Sequence, residues 1–384
     1  MEPTGVEPHG SAFHEDQQLD DLVFEDATCI VYRLFDVADE IDLDLAETLL
    51  AGAARRLKLS RERSEYLEIP RAPLAIELGR REVAGQSGRL FQCTAHARLF
   101  SFGAVSIRYE IPPITSADAA SLAGLVRELE EAEDVGRAAL EDTHRLCERL
   151  LPALDTPHAW DGSEMYTVVF TRGIVGPAPA ASFGNDPRIA KILLAEVSAS
   201  PLSEQEVVDA TRFAFSYTQA DLCVLDWNTA VVVEPDGSRD IPDVLEFATA
   251  QLLEFRFYDD LVDEEMESLY AILGKPRDFL RRLSGRYRKL IRQLNRRILE
   301  TVEFIERVDN SLKVIADSYL ARVYTAALEC FRVPAWLAGV NRKQDLTRQI
   351  AEVLAAESQA NTSHLLEIII ILLILYEVVS VAIQ

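Results

Sequence analysis

The first clear pattern along the chain is TCIVYRLF, Thr28 to Phe35, a run of β-branched and aromatic residues that predicts a strand. An acidic turn leads from it into LDLAETLLAGAARRL, whose apolar spacing is helical. A polar, glycine-containing stretch, GRREVAGQSGR, reads as a linker. CTAHARLFSFGAVSIRYEIP then predicts strand, turn at Phe102-Gly103 and strand, ended by Pro112 and Pro113. Thr115 or Ser116 can cap one long helical stretch to about Leu151.

The theme then repeats. MYTVVFTRGIV predicts a strand, and Ser203-x-x-Glu206 is a capping box opening a helix through about Tyr217. DLCVLDWNTAVVVEPDG alternates as a hairpin folded at Asp226, Trp227 and Asn228. Strands, helices and hairpins in this order predict an α+β fold with a mixed sheet, arranged as two ferredoxin-like halves.

After Pro242 the alternation stops. Ile291, Leu294, Ile298, Thr301, Ile305, Val308, Leu312 and Ile315 are spaced alternately three and four apart, a heptad seam that predicts a long coiled-coil hairpin and a contact between copies. The competing reading is an amphipathic helix lying on the globular core. Pro334 in CFRVPAWLAGV breaks the helical run, and a last helix begins near Asp345. The expected layout is a disordered acidic tail (1–27), an α+β domain (28–240), a helical region (241–363) and an apolar C-terminal helix (364–384).

That last helix, HLLEIIIILLILYEVV, has no polar face from Ile368 to Tyr376, so protein or lipid must surround it. The apolar run itself spans only about 13 Å, under half of a bilayer core of about 30 Å. Extending it from Leu365 to Ile383 reaches about 28 Å but takes Glu367 and Glu377 into the membrane. Its aliphatic residues favour insertion by roughly 4 to 8 kcal/mol, and the two acids oppose it by about 2 to 3 kcal/mol each. Insertion is therefore near break-even, and the helix is expected either to contact a membrane with help from neighbouring copies or to be buried in an oligomer. Leu365, Glu367, Ile368, Ile371, Leu375, Glu377 and Val378 are its candidate contact residues.

Charge sharpens this picture. The formal net charge is −24, which excludes a protein whose main surface follows DNA. The segment from Lys275 to Arg297 nevertheless holds ten bases against Asp278 alone. Arg281, Arg282, Arg288, Lys289 and Arg292 form its basic patch. Pairing with the acidic stretch before it, contact with anionic lipid, and contact with RNA or ribosomes are the readings it allows. Five dispersed cysteines without a CxxC pair disfavour disulfides and sequential zinc sites, and residues 1–27 carry acids without a base, unlike a targeting leader.

No phosphate-binding glycine loop, HExxH or GxSxG is present, and no catalytic residue, cofactor, metal or small-molecule substrate is expected. The hairpin tip Asp226, Trp227 and Asn228 is the best enzyme candidate; turn-forming Asp and Asn around a sheet-plugging Trp is the stronger reading.

LFSFGAVSIRYEIP, VLDWNTAVVVEP, LIRQLNRRI and the terminal HLLEIIIILLILYEVV together resemble the Required for meiotic nuclear division family. That resemblance implies homo-oligomers and membrane association through the last helix, and the lack of a transit peptide implies a bacterial member. The expectation is a non-enzymatic, self-associating scaffold on the cytoplasmic side of a bacterial inner membrane, or a soluble cytoplasmic oligomer. A soluble RNA- or ribosome-contacting module using residues 275–297 is the alternative.

Overall fold

The computed structural model describes residues 22–50, 52, 54–56, 72–273 and 318–383; within the last helix the side chains of 351, 353–366, 368 and 375–383 lie outside that description. In chain order the elements are β1 (Val23–Asp36), β2 (Ala38–Ile41), α1 (Leu43–Leu49), β3 (Ala54–Arg56), β4 (Leu74–Ala84), β5 (Leu90–Leu99), β6 (Ala104–Glu110) and β7 (Ile114–Asp118). Next come α2 (Ala119–Glu130), α3 (Glu133–Leu150), β8 (Leu154–Pro157), β9 (Glu164–Thr171), β10 (Gly173–Ile174), α4 (Pro187–Leu193) and α5 (Glu204–Ala210). β11 (Phe213–Phe215), β12 (Leu222–Leu225), β13 (Thr229–Val233), α6 (Asp240–Leu273), α7 (Ser318–Cys330) and α8 (Val333–Ile383) are the remaining elements among the described residues.

The fold is α+β. One sheet runs β11-β12-β13-β9-β1-β6-β5-β4-β3, with β7 and β10 both pairing with β1. β9 and β13 are parallel, and the other described pairs are antiparallel. The sheet is therefore one continuous run and does not divide into the two ferredoxin-like halves that the sequence suggested. β1 lies at its middle and is buried on both faces, which is why its sequence is apolar almost throughout. Cys29, Val31 and Phe35 face a layer built from α2, α3 and α4, while Ile30, Tyr32 and Leu34 face α6 and α7.

Several local expectations are corrected. GRREVAGQSGR is not a linker: its first half is the end of β4, disguised because the outward positions are charged and a bulge at Gly79 (φ +86°) interrupts the alternation. The helix after Leu43 ends at Leu49, and Ala54–Arg56 is a strand. Thr115 and Ser116 belong to β7, and the helix cap is Asp118, which accepts from the Ser121 amide at 2.7 Å. The single long helix is two, α2 and α3. The half-buried Arg33 guanidinium lies 3.6 Å from where a Cβ on Gly136 would be, at the start of α3, with Glu130 at the end of α2 as its charge partner. The Ser203 cap does form, accepting from Glu206 N at 3.1 Å, but α5 stops at Ala210 and Phe213–Phe215 is a strand. The break expected in CFRVPAWLAGV does occur, at Phe331 and Arg332 (φ +55°) between α7 and α8; Pro334 sits in the first turn of α8, where its missing N–H has no intrahelical acceptor to lose, so the last helix starts at Val333 and not near Asp345.

At the β5–β6 turn only glycine fits. A Cβ on Gly103 (φ +103°) would lie 1.7 Å from the Ala38 carbonyl oxygen. Phe100, Phe102 and Phe247 cluster beside it and tie the hairpin to α6, with Phe100 and Phe102 stacked at 5.2 Å.

Candidate interaction surfaces

α8 begins as part of the globular body. Val333 and Val340 are buried, and Lys343 bridges Asp259 and Asp263 of α6 at 2.7 Å each. Farther along the same helix the environment changes. Ile369, Ile370, Ile371, Leu372, Leu373 and Ile374 are exposed by 43 to 63%. At 100° per residue, consecutive positions of this kind cover every side of the helix, so the chain's own body shields none of them. Glu367 just before them is exposed as well. Of the other residues expected on this surface, Leu365, Ile368, Leu375, Glu377 and Val378 belong to α8, and their side chains are outside the described set. Among the described residues no helix is long and apolar enough to cross a membrane, so the transmembrane expectation has no support in the structure.

The coiled-coil seam (Ile291, Leu294, Ile298, Ile305, Val308, Leu312, Ile315) and the basic patch (Arg281, Arg282, Arg288, Lys289, Arg292) lie outside the described residues.

The hairpin tip is held by main-chain hydrogen bonds and a ring contact. Asp226 N donates to Thr229 O at 2.8 Å, closing the turn, and Tyr166 Oη donates to Asp226 O at 3.1 Å. Trp227 sits edge-on to Phe331 at 6.4 Å. Burial raises the Asp226 carboxyl above the usual carboxylate range.

Two polar constellations were invisible in the sequence. His158 Nε2 lies 2.7 Å from Asp36 Oδ1, while its Nδ1 lies 3.3 Å from Thr156 O and 3.6 Å from Asp39 Oδ1. The imidazole stacks on Phe257 of α6 at 4.7 Å. Burial pushes Asp36 upward, opposed by its hydrogen bonds to His158 and Glu254. Burial works to lower the His158 pKa, but the hydrogen bond and charge of Asp36 hold it above its ordinary value. This group clamps the segment after β8 onto the end of β1 and onto α6.

The second lies where β4, β5 and β6 extend beyond the cover of α6 and α7. Their outward positions are polar, and strand register aligns them in rows: Glu77, His96, Arg108 and Tyr32 in one, Arg55, Ala75, Arg98 and Ser106 in the next. A cleft of about 570 Å³ opens over these rows, with Glu246 of α6 as part of its wall. Arg98 is 5% exposed and pairs with Asp243 at 2.7 Å and with Glu246. Burial raises the Glu246 carboxyl, against the pull of Arg98 and Arg108. Burial, reinforced by Arg108, lowers the His96 pKa and keeps its ring neutral at neutral pH. Glu77, His96 and Arg108 are 19 and 12 positions apart and Glu246 lies 148 positions beyond Arg98, which hid this group from pattern reading. Among the described residues no group of three or more His, Cys, Asp or Glu converges to hold a metal.

Residues 26–239 match the family described as Uncharacterized protein MJ0711, N-terminal domain. A curated relative, Uncharacterized protein MJ0711 of Methanocaldococcus jannaschii, is 22% identical over 179 residues, 46% of this chain and 53% of that protein. The chain thus spans about half the length of the curated relative it matches. No solved structure matches. Because the family match covers more than half of the chain, the chain belongs to the MJ0711 N-terminal domain family. The resemblance to the Required for meiotic nuclear division family is overturned by this finding. Of the stretches that carried it, two are short hairpins and one is part of an apolar helix, patterns that any sheet packed with helices can reproduce, and LIRQLNRRI lies outside the described residues.

Proposed function

We propose that this member of the MJ0711 N-terminal domain family is a non-enzymatic, self-associating scaffold, in which the sheet domain is a rigid body and α8 is the element that joins copies. The observation that carries this reading is the exposure of Ile369–Ile374 on all sides of α8. Burying those side chains in a partner offers on the order of 10 kcal/mol, enough to compete with the ~4–15 kcal/mol of freedom lost on association. Other copies of the helix are favoured as cover because the run from Ile368 to Tyr376 is too short for a bilayer and is bracketed in sequence by Glu367 and Glu377.

Contact with a membrane surface is a second reading, favoured by the same full circumference: a bundle of copies covers the facing sides of each helix, and lipid can take the outward sides. Under this reading the body stays on the cytoplasmic side. Light scattering and fractionation of the full chain and of a chain ending at Thr362 test both readings. Self-association predicts an assembled full chain and a monomeric truncated one in plain buffer. The membrane reading adds that only the full chain cosediments with vesicles. Two monomers that both stay in the soluble fraction would eliminate the scaffold.

A further inference from the structure

The cleft over β4, β5 and β6 contains more donors than the fold uses. Asp243 and Glu246 are matched to Arg98, which leaves Arg55 and Arg108 against Glu77. Arg108 reaches Asp243 only at 3.9 Å, and its buried Nε has no hydrogen-bond partner. Behind it on β1, Tyr32 is fully buried, and its hydroxyl also lacks a partner. Buried donors without acceptors are rare in folded proteins because each costs about 1–3 kcal/mol. The Arg108 Nε can only donate, so its missing complement is an acceptor, and the hydroxyls of Tyr32 and of the neighbouring Ser106 can donate to one as well. Room for it exists: Ala75 lies between Arg55 and Arg98 in its row, and its small side chain leaves the floor between them low. His96, next to Arg108 in the adjoining row, adds a neutral ring that can donate one further hydrogen bond.

We propose that this cleft binds a small oxyanion-bearing ligand, a carboxylate or a phosphate, whose oxygens accept from Arg108 and Arg55 with His96 beside them. Arg108 supplies the anchoring charge-assisted bonds from the inner wall, Arg55 closes the outer side, and Glu77 at the mouth selects for a ligand with a donor near its anionic end. The site is separate from α8, so it stands whether or not the chain self-associates.

The test titrates inorganic phosphate and succinate into the full chain, Arg108→Gln and Arg55→Gln, with ionic strength held constant by sodium chloride, and reads calorimetric binding. Saturable binding of at least one anion is expected, weakened about tenfold or more in each variant. Phosphate alone binding identifies a tetrahedral oxyanion site, and succinate alone a carboxylate site. Arg55 is exposed and makes no ion pair among the described residues, so Arg55→Gln keeps the test decisive even where Arg108→Gln fails to fold. No saturable binding by the unaltered chain, or equal affinity in the unaltered chain and Arg55→Gln, overturns the proposal.

Discussion

The Asp36 and His158 pair sets a direction for the response to pH. Both groups have folded pKa values above their ordinary ones, Asp36 through burial and His158 through Asp36 against the effect of burial. In each case the folded state holds a proton that the unfolded state releases. The contribution of His158 is therefore complete below its unfolded value near 6.5 and is lost as pH rises through its raised folded value. The shift of Asp36 acts in the same sense, beginning at its ordinary value of 3.8. Urea midpoints should fall between pH 6 and pH 8, and His158→Gln should flatten that fall while lowering stability at pH 6 by about 1–3 kcal/mol. An unchanged slope in the variant would show that other groups carry it. A second residue-scale prediction concerns Gly103: Ala there meets both a positive φ and the Ala38 carbonyl, so Gly103→Ala should lose more than about 3 kcal/mol in the same denaturation measurement.

Among elements, the strands that the sequence revealed are those with one chemistry per face. β1, the β5–β6 hairpin and the β12–β13 hairpin keep their alternation or apolar run between turn residues, and Ser203 announces α5. β4 was missed because Glu77, Arg80 and Glu82 occupy its outward side and the Gly79 bulge shifts its phase. The break between α2 and α3 was missed because Glu131 and Ala132, where it falls, include neither glycine nor proline to mark it. The cleft escaped notice because Arg55, Glu77, His96 and Arg108 become neighbours only through strand register. How α6 is held on this sheet can be tested at Arg98. Arg98→Met leaves the fully buried Glu246 without its close countercharge and Asp243 with only the more distant Arg108, and a loss of about 3–5 kcal/mol in thermal or urea unfolding is expected. A loss below about 1 kcal/mol would mean that Glu246 is protonated and the pair contributes little.

For the whole molecule, two forces oppose each other. The exposed aliphatic side chains of α8 favour assembly, while a formal charge of −24 on every copy resists it. Salt screens the second force and leaves the first intact, so raising sodium chloride from about 50 to about 300 mM should tighten self-association. Weakening by salt would instead point to the basic segment at 275–297 as the assembling element. The α+β body and the need to cover the last helix were both legible in the sequence, the latter because a helix apolar on every side is incompatible with water wherever it is attached. The strand order was not, since the packing of the sheet decides it.

Mass measured by light scattering over a range of concentrations, for the full chain and for Ile371→Asp/Leu373→Asp, tests the central claim most directly. Both positions are exposed in α8, so the double substitution leaves the body's packing untouched. The unaltered chain should show a multiple of 42.9 kDa that grows or holds with concentration, and the variant should return 42.9 kDa. Equal masses for the two would contradict the account.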